Sequence, residues 1–500
     1  MQGHKEYQEK LFVSFQLSDR VPENNFYRRL KKELDLSFLR KETKVYYGIE
    51  GQKSIDPVVF FKLMLIGYIE NLNSDRKIIE YASMRMDMLF FLDYDIDESL
   101  PWHSTLSRTR QLYGKELFLE VFCKILGLCV SKGMVSGNIQ AIDSAFIRAN
   151  ASMGSLVERD LHIVSKHFFN EITKNEEDKI DRKLKHSDKF VSTTDPDSRV
   201  SQKQGKLPAL NHLGIISVDT EHHVICGAMA DFADKKDSNT IEKIVGQVIE
   251  NLQANDLQIE EVLADTGYSS GESYKFLEAH DITAYIPPHG SYTPEKEGFV
   301  YNEEADCYIC SHGKKLSFSR IKTTKDRATT SKAYCATVAD CRYCPSKLNC
   351  CKKGKYKELT HSSDKPYYDK AYHLLNTRKG KRKMRLRGST VEPVWGILLN
   401  FTRLKKVYTK GNDLANKQVL MACAAYNIKK MLKFKVINTI CQATVWRVNR
   451  EKGILKSFIN TISKQFYQVV IKLLAIETKA IGNDIKIVHF GGCATATKCG

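Results

Sequence analysis

Three carboxylates lie far apart along the chain, each in a setting that suggests shared work. Asp143 interrupts the otherwise apolar run Ile139-Gln-Ala-Ile-Asp-Ser-Ala-Phe-Ile. An ionised carboxylate in a central strand costs on the order of several kcal/mol unless something neutralises it, and a divalent metal would do so. Asp265 closes a second short run, Val262-Leu-Ala-Asp-Thr-Gly-Tyr, and ligand sites in α/β sheets collect at the carboxyl ends of strands. Glu392 lies in Arg385-Leu-Arg-Gly-Ser-Thr-Val-Glu-Pro-Val-Trp-Gly. The spacing predicts that it starts a helix burying Val391, Val394, Trp395, Leu398 and Leu399, with Arg403 on the same face as the glutamate. If these elements converge, the three carboxylates can hold two Mg²⁺ (or Mn²⁺) ions roughly 3.5–4 Å apart, an arrangement that serves phosphoryl transfer.

Singly, each residue has a plainer reading. Asp143 reads as a hydrogen-bonded structural aspartate, Asp265 as a turn residue, and Glu392 as the last member of a Ser389-Thr-Val-Glu capping box. Their order on strand, strand and helix of one fold is harder to reach by chance, and it favours the catalytic reading.

A second cluster suggests a different metal. Cys307-Tyr-Ile-Cys310 and Cys341-Arg-Tyr-Cys344, followed by Cys350 and Cys351, form two CxxC pairs at roughly the spacing of a zinc ribbon. Thiolates suit Zn²⁺ better than Mg²⁺. The expected ligands of a structural Zn²⁺ are Cys310, Cys341, Cys344 and Cys350, with Cys307 as substitute and Cys335 and Cys351 as competitors. The ion would organise a Lys-rich segment with no core of its own. A set of unligated thiols is the plain alternative.

The positioning elements follow from periodicity. Apolar residues recur at helical spacing from Asp56 to Leu126, which predicts a helical N-terminal domain over 1–135. Within it Pro101-Trp-His-Ser-Thr-Leu-Ser-Arg-Thr-Arg-Gln reads as a turn, a cap and a basic helix that would offer Arg108 and Arg110 to DNA. A helical bundle with a solvated basic face fits the same pattern. After Gly137 strands are predicted at Ile139–Ile147, Gly214–Val218 and His223–Met229. A helix capped by Asp237-Ser238 comes next, then a strand at Glu261–Ala264, a helix from Gly271 to His280 and a strand at Ile282–Ile286. That order describes an α/β, ribonuclease-H-like mixed-sheet catalytic domain with an all-α N-terminal domain and a Cys-rich insertion. The expected divisions are 136–290 for the first part of the catalytic domain, with a charged helical insertion near 155–195, and 291–360 for the basic, Cys-rich insertion. The last part of the catalytic domain takes 361–431, and a tail 432–500.

Composition narrows the partner. The 500 residues carry 77 Lys and Arg against 59 Asp and Glu, a formal charge of +18, which favours a polyanion, either nucleic acid or an acidic membrane surface. No apolar stretch reaches the roughly 20 residues of a membrane span. The polar N-terminus reads as no signal peptide, so the expected compartment is the cytoplasm, where cysteines serve as thiols or metal ligands.

With Ser54-Ile-Asp-Pro-Val-Val-Phe-Phe-Lys-Leu-Met-Leu-Ile-Gly-Tyr, Leu100-Pro-Trp-His-Ser-Thr-Leu-Ser-Arg, Ala141-Ile-Asp-Ser, Leu263-Ala-Asp-Thr-Gly-Tyr and Thr390-Val-Glu-Pro-Val-Trp-Gly in this order, the chain resembles the DDE insertion-sequence transposases. Within the IS5-like set it resembles the group called eleven-eighty-two. The resemblance implies that Asp143, Asp265 and Glu392 are metal-binding catalytic residues. It also implies hydrolytic nicking at the element ends, followed by attack of the freed 3′-hydroxyl on target DNA. Arg385, Arg387, Arg403 and Lys405 would bind phosphates, and the expected partners are the terminal inverted repeats, the target DNA and a second copy in a homodimer. The chain departs from the family at Leu399, where a basic residue is usual, and Arg403 or Lys405 is the expected replacement. A ribonuclease-H-like nuclease without strand transfer and a non-catalytic zinc-ribbon DNA-binding protein are the alternatives.

Overall fold

The structure is a computed structural model that describes residues 2–5, 8–9, 14–48, 50, 54–158, 189–202, 205, 207–290, 292–323, 330–351 and 354–434. Most of the charged insertion expected near 155–195, and the tail beyond Phe434, lie outside the described residues.

The strand β1 (Ile139–Arg148) organises the catalytic sheet. After the short pair β2 (Leu156–Glu158) and β3 (Phe190–Ser192) come β4 (Arg199–Ser201), β5 (Ala209–Asp219), β6 (Ile225–Phe232), β7 (Glu261–Leu263) and β8 (Thr283–Tyr285). The order runs β5-β1-β7-β8, with both β4 and β6 paired to β5. Strand β1 is antiparallel to β5, and β5 to β6, while β1, β7 and β8 are mutually parallel. The polarity follows from the connections. Thr220 to Val224 is a tight antiparallel return, whereas the helices Ile241–Gln253 and Gly271–Ala279 provide the crossovers that parallel neighbours require. This is a ribonuclease-H-like sheet, as its sequence order predicts.

Alternation along β1 serves two cores. Ala141, Ala145 and Ile147 face one, and Ile142 and Phe146 face the other, against the helix Ile241–Gln253. The first core is continuous from Tyr27 to Leu432 and joins the N-terminal helices to the sheet. The helix Pro57–Ile69 starts with Asp56 accepting from the Val58 amide at 2.8 Å and Pro57 in the first turn, and it is buried around nearly its whole circumference. The long helix Asn412–Lys433 lies against it, against the helix Lys115–Ser131 and against β6. Among the described residues no helix is long and apolar enough to cross a membrane.

The basic insertion does build a core, contrary to expectation. Strands β9 (Phe299–Asn302), β10 (Cys307–Cys310), β11 (Lys315–Thr323), β12 (Thr330–Cys335) and β13 (Glu358–Ser362) form one antiparallel sheet in the order β13-β12-β11-β10-β9. Tyr308, Leu316, Tyr334, Ala336 and Cys341 are its interior. Tyr301, Tyr308 and Tyr334 cluster around His361, which bonds the hydroxyl of Tyr308 at 2.8 Å and of Tyr334 at 3.2 Å.

Burial, with Lys365 and Lys332 nearby, pushes His361 down to about 4. A base depressed in the folded state stabilises the fold above its ordinary value near 6.5 and loses that contribution as pH falls toward 4. The insertion is therefore expected to loosen selectively between those values. Hydrogen exchange of β10, β12 and β13 at about pH 7 and about pH 5 checks this, with the sheet around β1 as internal reference.

Candidate active site

Register places the two aspartates together. Parallel pairing matches Leu263 of β7 with Ala141 of β1, so two residues further on Asp265 stands level with Asp143 on the neighbouring strand. Both side chains then share the face of Ala141, because side chains alternate with period two. The Arg387 guanidinium confirms the juxtaposition: one nitrogen lies 3.0 Å from an Asp143 oxygen and 3.6 Å from an Asp265 oxygen.

The two carboxylates differ in setting. Asp143 is mostly enclosed, with 18% of its side chain exposed, against 43% for Asp265. Burial pushes Asp143 up to about 6. Arg387 opposes that shift, and the charges of Asp265 and Asp237 add to it. Asp265 also accepts from the Gly267 amide at 2.9 Å, which fixes the turn after β7. A Cβ at Gly267 would lie 2.7 Å from Asp237 Oδ2 and 3.0 Å from Asp265 Oδ1, so a side chain there would push these carboxylates aside.

Asp237 carries the sequence signal of a helix cap, and the structure gives it another role. The helix starts after Thr240, and Asp237 accepts from the Ser144 hydroxyl at 2.7 Å, bracing β1 beside Asp143 from the other face of the sheet. An aspartate before a helical run signals a cap whether or not it makes one. Nothing in the sequence separates the two roles.

Glu392 stands elsewhere. Its helix is Arg378–Phe401, begun by Thr377 accepting from the Gly380 amide at 2.9 Å, so the glutamate lies well inside the helix and the capping-box reading fails. Val391, Val394, Trp395 and Leu398 are buried as expected, and Leu399 packs partly against the same core. Glu392 itself is exposed. It is five positions from Arg387, about 140° around the helix at about 100° per residue, so the two side chains leave on different sides.

The predicted phosphate-binding residues divide. Arg108, Arg385 and Lys405 lie at the surface, as do Arg378, Lys381 and Arg382, for which the sequence offers no signal beyond charge. Arg387 is partly enclosed against the aspartates. Arg110 and Arg403 belong to the interior, which corrects their reading as DNA contacts. Arg110 is 7% exposed and pairs with Asp75 at 2.6 Å. Arg403 is 6% exposed and follows the end of the helix in a left-handed conformation. That turn carries it away from the Glu392 face to lie over the rings of Tyr68 and Tyr408.

Two hard oxygen donors, one on β1 and one just past the end of β7, already sharing a cation, fit a divalent metal such as Mg²⁺. Among the described residues no three His, Cys, Asp or Glu side chains stand close enough to hold a metal together, and Glu392 does not join the pair. The four expected zinc ligands, Cys310, Cys341, Cys344 and Cys350, line one cavity of about 1080 Å³ with Cys351 and His312, but no three of these side chains stand close enough to hold an ion together. Cys310 Sγ accepts from the Lys314 amide at 3.3 Å. Cys307 is buried in the tyrosine core and does not line this cavity, which removes it as a substitute; Cys335 turns to Glu358.

A transposase domain family (DUF772) matches residues 15–112, the region from the first helices through His103–Leu112. A transposase DDE domain family matches residues 309–432, which contain the Glu392 helix and its packing partner Asn412–Lys433. Both matched segments are similar to transposase domains, the second to a DDE domain. No curated protein matches it. Among solved structures it is similar to the piggyBac transposase synaptic complex with hairpin DNA, at 10% identity and a TM-score of 0.25 over 85% of this chain and 83% of that one. The chain is thus matched by family toward both ends of its described length. The aspartates Asp143 and Asp265 fall between the two matched segments.

Proposed function

We propose that this transposase cuts DNA at the ends of its element and joins the freed 3′-hydroxyl to target DNA, with Asp143, Asp265 and Glu392 as the catalytic carboxylates. The observation that carries the reading is the pair Asp143, on β1, and Asp265, just past the end of the parallel neighbour β7, whose oxygens reach one guanidinium. A bound divalent ion would activate the attacking oxygen and stabilise the leaving one. Asp143 and Asp265 would hold it, and Glu392 would complete the set.

The chain's own cations do the rest. Arg378, Lys381, Arg382 and Arg385 form a basic run at the surface of the helix whose buried side meets the aspartates. Phosphates following that run would pass along the exposed face of the helix, the side on which Glu392 also stands. Lys405, just beyond the helix, and Arg108, on the helix His103–Leu112, are further exposed cations.

The remaining assignments rest on the resemblance to the eleven-eighty-two group: terminal inverted repeats as the DNA bound, a homodimer as the working form and the cytoplasm as the compartment. The test is a product assay with duplexes carrying the element ends and Mg²⁺. Joined molecules alongside nicks are expected; nicks without joined products would leave a nuclease, and neither would overturn the reading.

For the cysteine cavity we propose a structural Zn²⁺ on Cys310, Cys341, Cys344 and Cys350, which line one cavity and would have to draw together around the ion, since no three of them stand close enough to hold it. The purified protein should carry zinc at about one equivalent, and Cys341→Ser with Cys344→Ser should remove it. An equal metal content in that variant contradicts the assignment.

A further inference from the structure

The helix Arg378–Phe401 seats its two halves by different forces. Lys379, Lys383 and Arg387 recur every four residues and so share one face. Lys379 lies 2.8 Å from Glu261, Lys383 pairs with the same carboxylate, and Arg387 pairs with Asp143 and Asp265. One turn further on that face becomes apolar and buried, with Val391, Val394, Trp395 and Leu398. Pro393 falls inside the helix at this change. It has no amide to give the Ser389 carbonyl, so the helix is weakest where its ionic half meets its apolar half.

We propose that Arg387 is a latch on the carboxylate pair, occupying the place of the divalent ion until DNA phosphate draws the guanidinium away. The proposal rests on Asp143 and Asp265 being the metal-binding pair. A guanidinium spanning both carboxylates and a divalent ion bound by both compete for one gap. The ionic half of the helix can be won over by a polyanion, because phosphate offers Lys379, Lys383 and Arg387 the same charge partner that Glu261 and the aspartates do. The apolar half has no such competitor and stays anchored. Docked this way, the helix directs Glu392 outward, since five positions put it about 140° from Arg387. DNA binding and metal binding are therefore coupled, and the unbound transposase is held from indiscriminate cutting.

The test is Mn²⁺ binding to the full chain without DNA, by titration calorimetry, with wild type, Arg387→Gln and Arg387→Lys. Removing a competitor worth the usual coupling should tighten Mn²⁺ binding about tenfold or more in Arg387→Gln. Arg387→Lys keeps the charge on a shorter reach and should fall between the two. Equal or weaker binding in both variants overturns the latch. Adding Asp143→Asn to Arg387→Gln separates the two ideas: if the tightened binding persists undiminished, the carboxylate pair is not the metal site, and the catalytic reading fails with it.

Discussion

Asp143→Asn and Asp265→Asn should each abolish strand cleavage without weakening DNA binding. A metal-bound transition state gains several kcal/mol from its ion, and a loss of about 4 kcal/mol is about a thousandfold in rate. The exposed basic run proposed to hold phosphate is untouched by either change, and each change removes a carboxylate that competes with phosphate for Arg387, so the end duplex should shift at the wild-type protein concentration or below it.

For Asp143 the stability readout moves in the opposite direction from activity. Burial raises its pKa to about 6, so its ionised form is an unfavourable group in the fold at neutral pH. That cost is absent at acid pH and is fully present once pH has risen through about 6. The amide that Asp143→Asn introduces carries no such charge, and the variant's melting temperature at about pH 7.5 should equal or exceed that of wild type. A residue that only held the sheet together would lose stability and activity together; a variant that cuts normally would remove Asp143 from the chemistry.

Arg110→Ala should cost stability rather than DNA affinity. Arg110 reaches Asp75 through two nitrogens, at 2.6 and 3.0 Å, and both side chains are largely enclosed. Removing one partner of a buried pair strands the other charge, a loss of about 3–5 kcal/mol. The damage should spread, because Lys417 on the helix Asn412–Lys433 donates to the carbonyls of Arg110 and Tyr113 and so ties the end of this helix to the central core. Arg108→Ala is the matched control: at the surface of the same helix, it should stay within about 0.5 kcal/mol of wild type. Urea denaturation measures both. An Arg110→Ala protein of native stability with weakened DNA binding would return that arginine to the DNA surface.

These two cases show which features the sequence exposes. Asp143 is legible because a charge inside an apolar alternating run is costly wherever the run is a strand. Asp265 is legible because a short β-rich run ends in a turn signal. Their level placement needs the parallel register, which no local pattern contains.

Arg110 and Arg403 mislead because an arginine in a polar stretch looks solvated until its partner is known. Asp75 is 35 positions from Arg110, and Tyr68 and Tyr408 approach Arg403 from other elements of the chain. The first half of the Glu392 helix is hidden for a related reason. Arg378 to Arg387 has almost no apolar periodicity, and ion pairs with Glu261, Asp143 and Asp265 take the place of a buried stripe. The tyrosine core of the insertion likewise escapes a search for aliphatic alternation, because aromatic side chains fill much of its interior. Asp237 presents a cap signal and serves a neighbouring strand instead.

The central claim is that Asp143, Asp265 and Glu392 act on one divalent ion. A structure of the transposase bound to an end duplex with Ca²⁺, a divalent ion that accepts the same oxygen ligands, examines it most directly. Expected are an ion shared by the two aspartates beside a DNA phosphate, Arg387 transferred to the backbone, and the helix before Pro393 rotated so that Glu392 reaches the ion. An ion bound elsewhere, with Arg387 still spanning the aspartates beside the DNA, would contradict it.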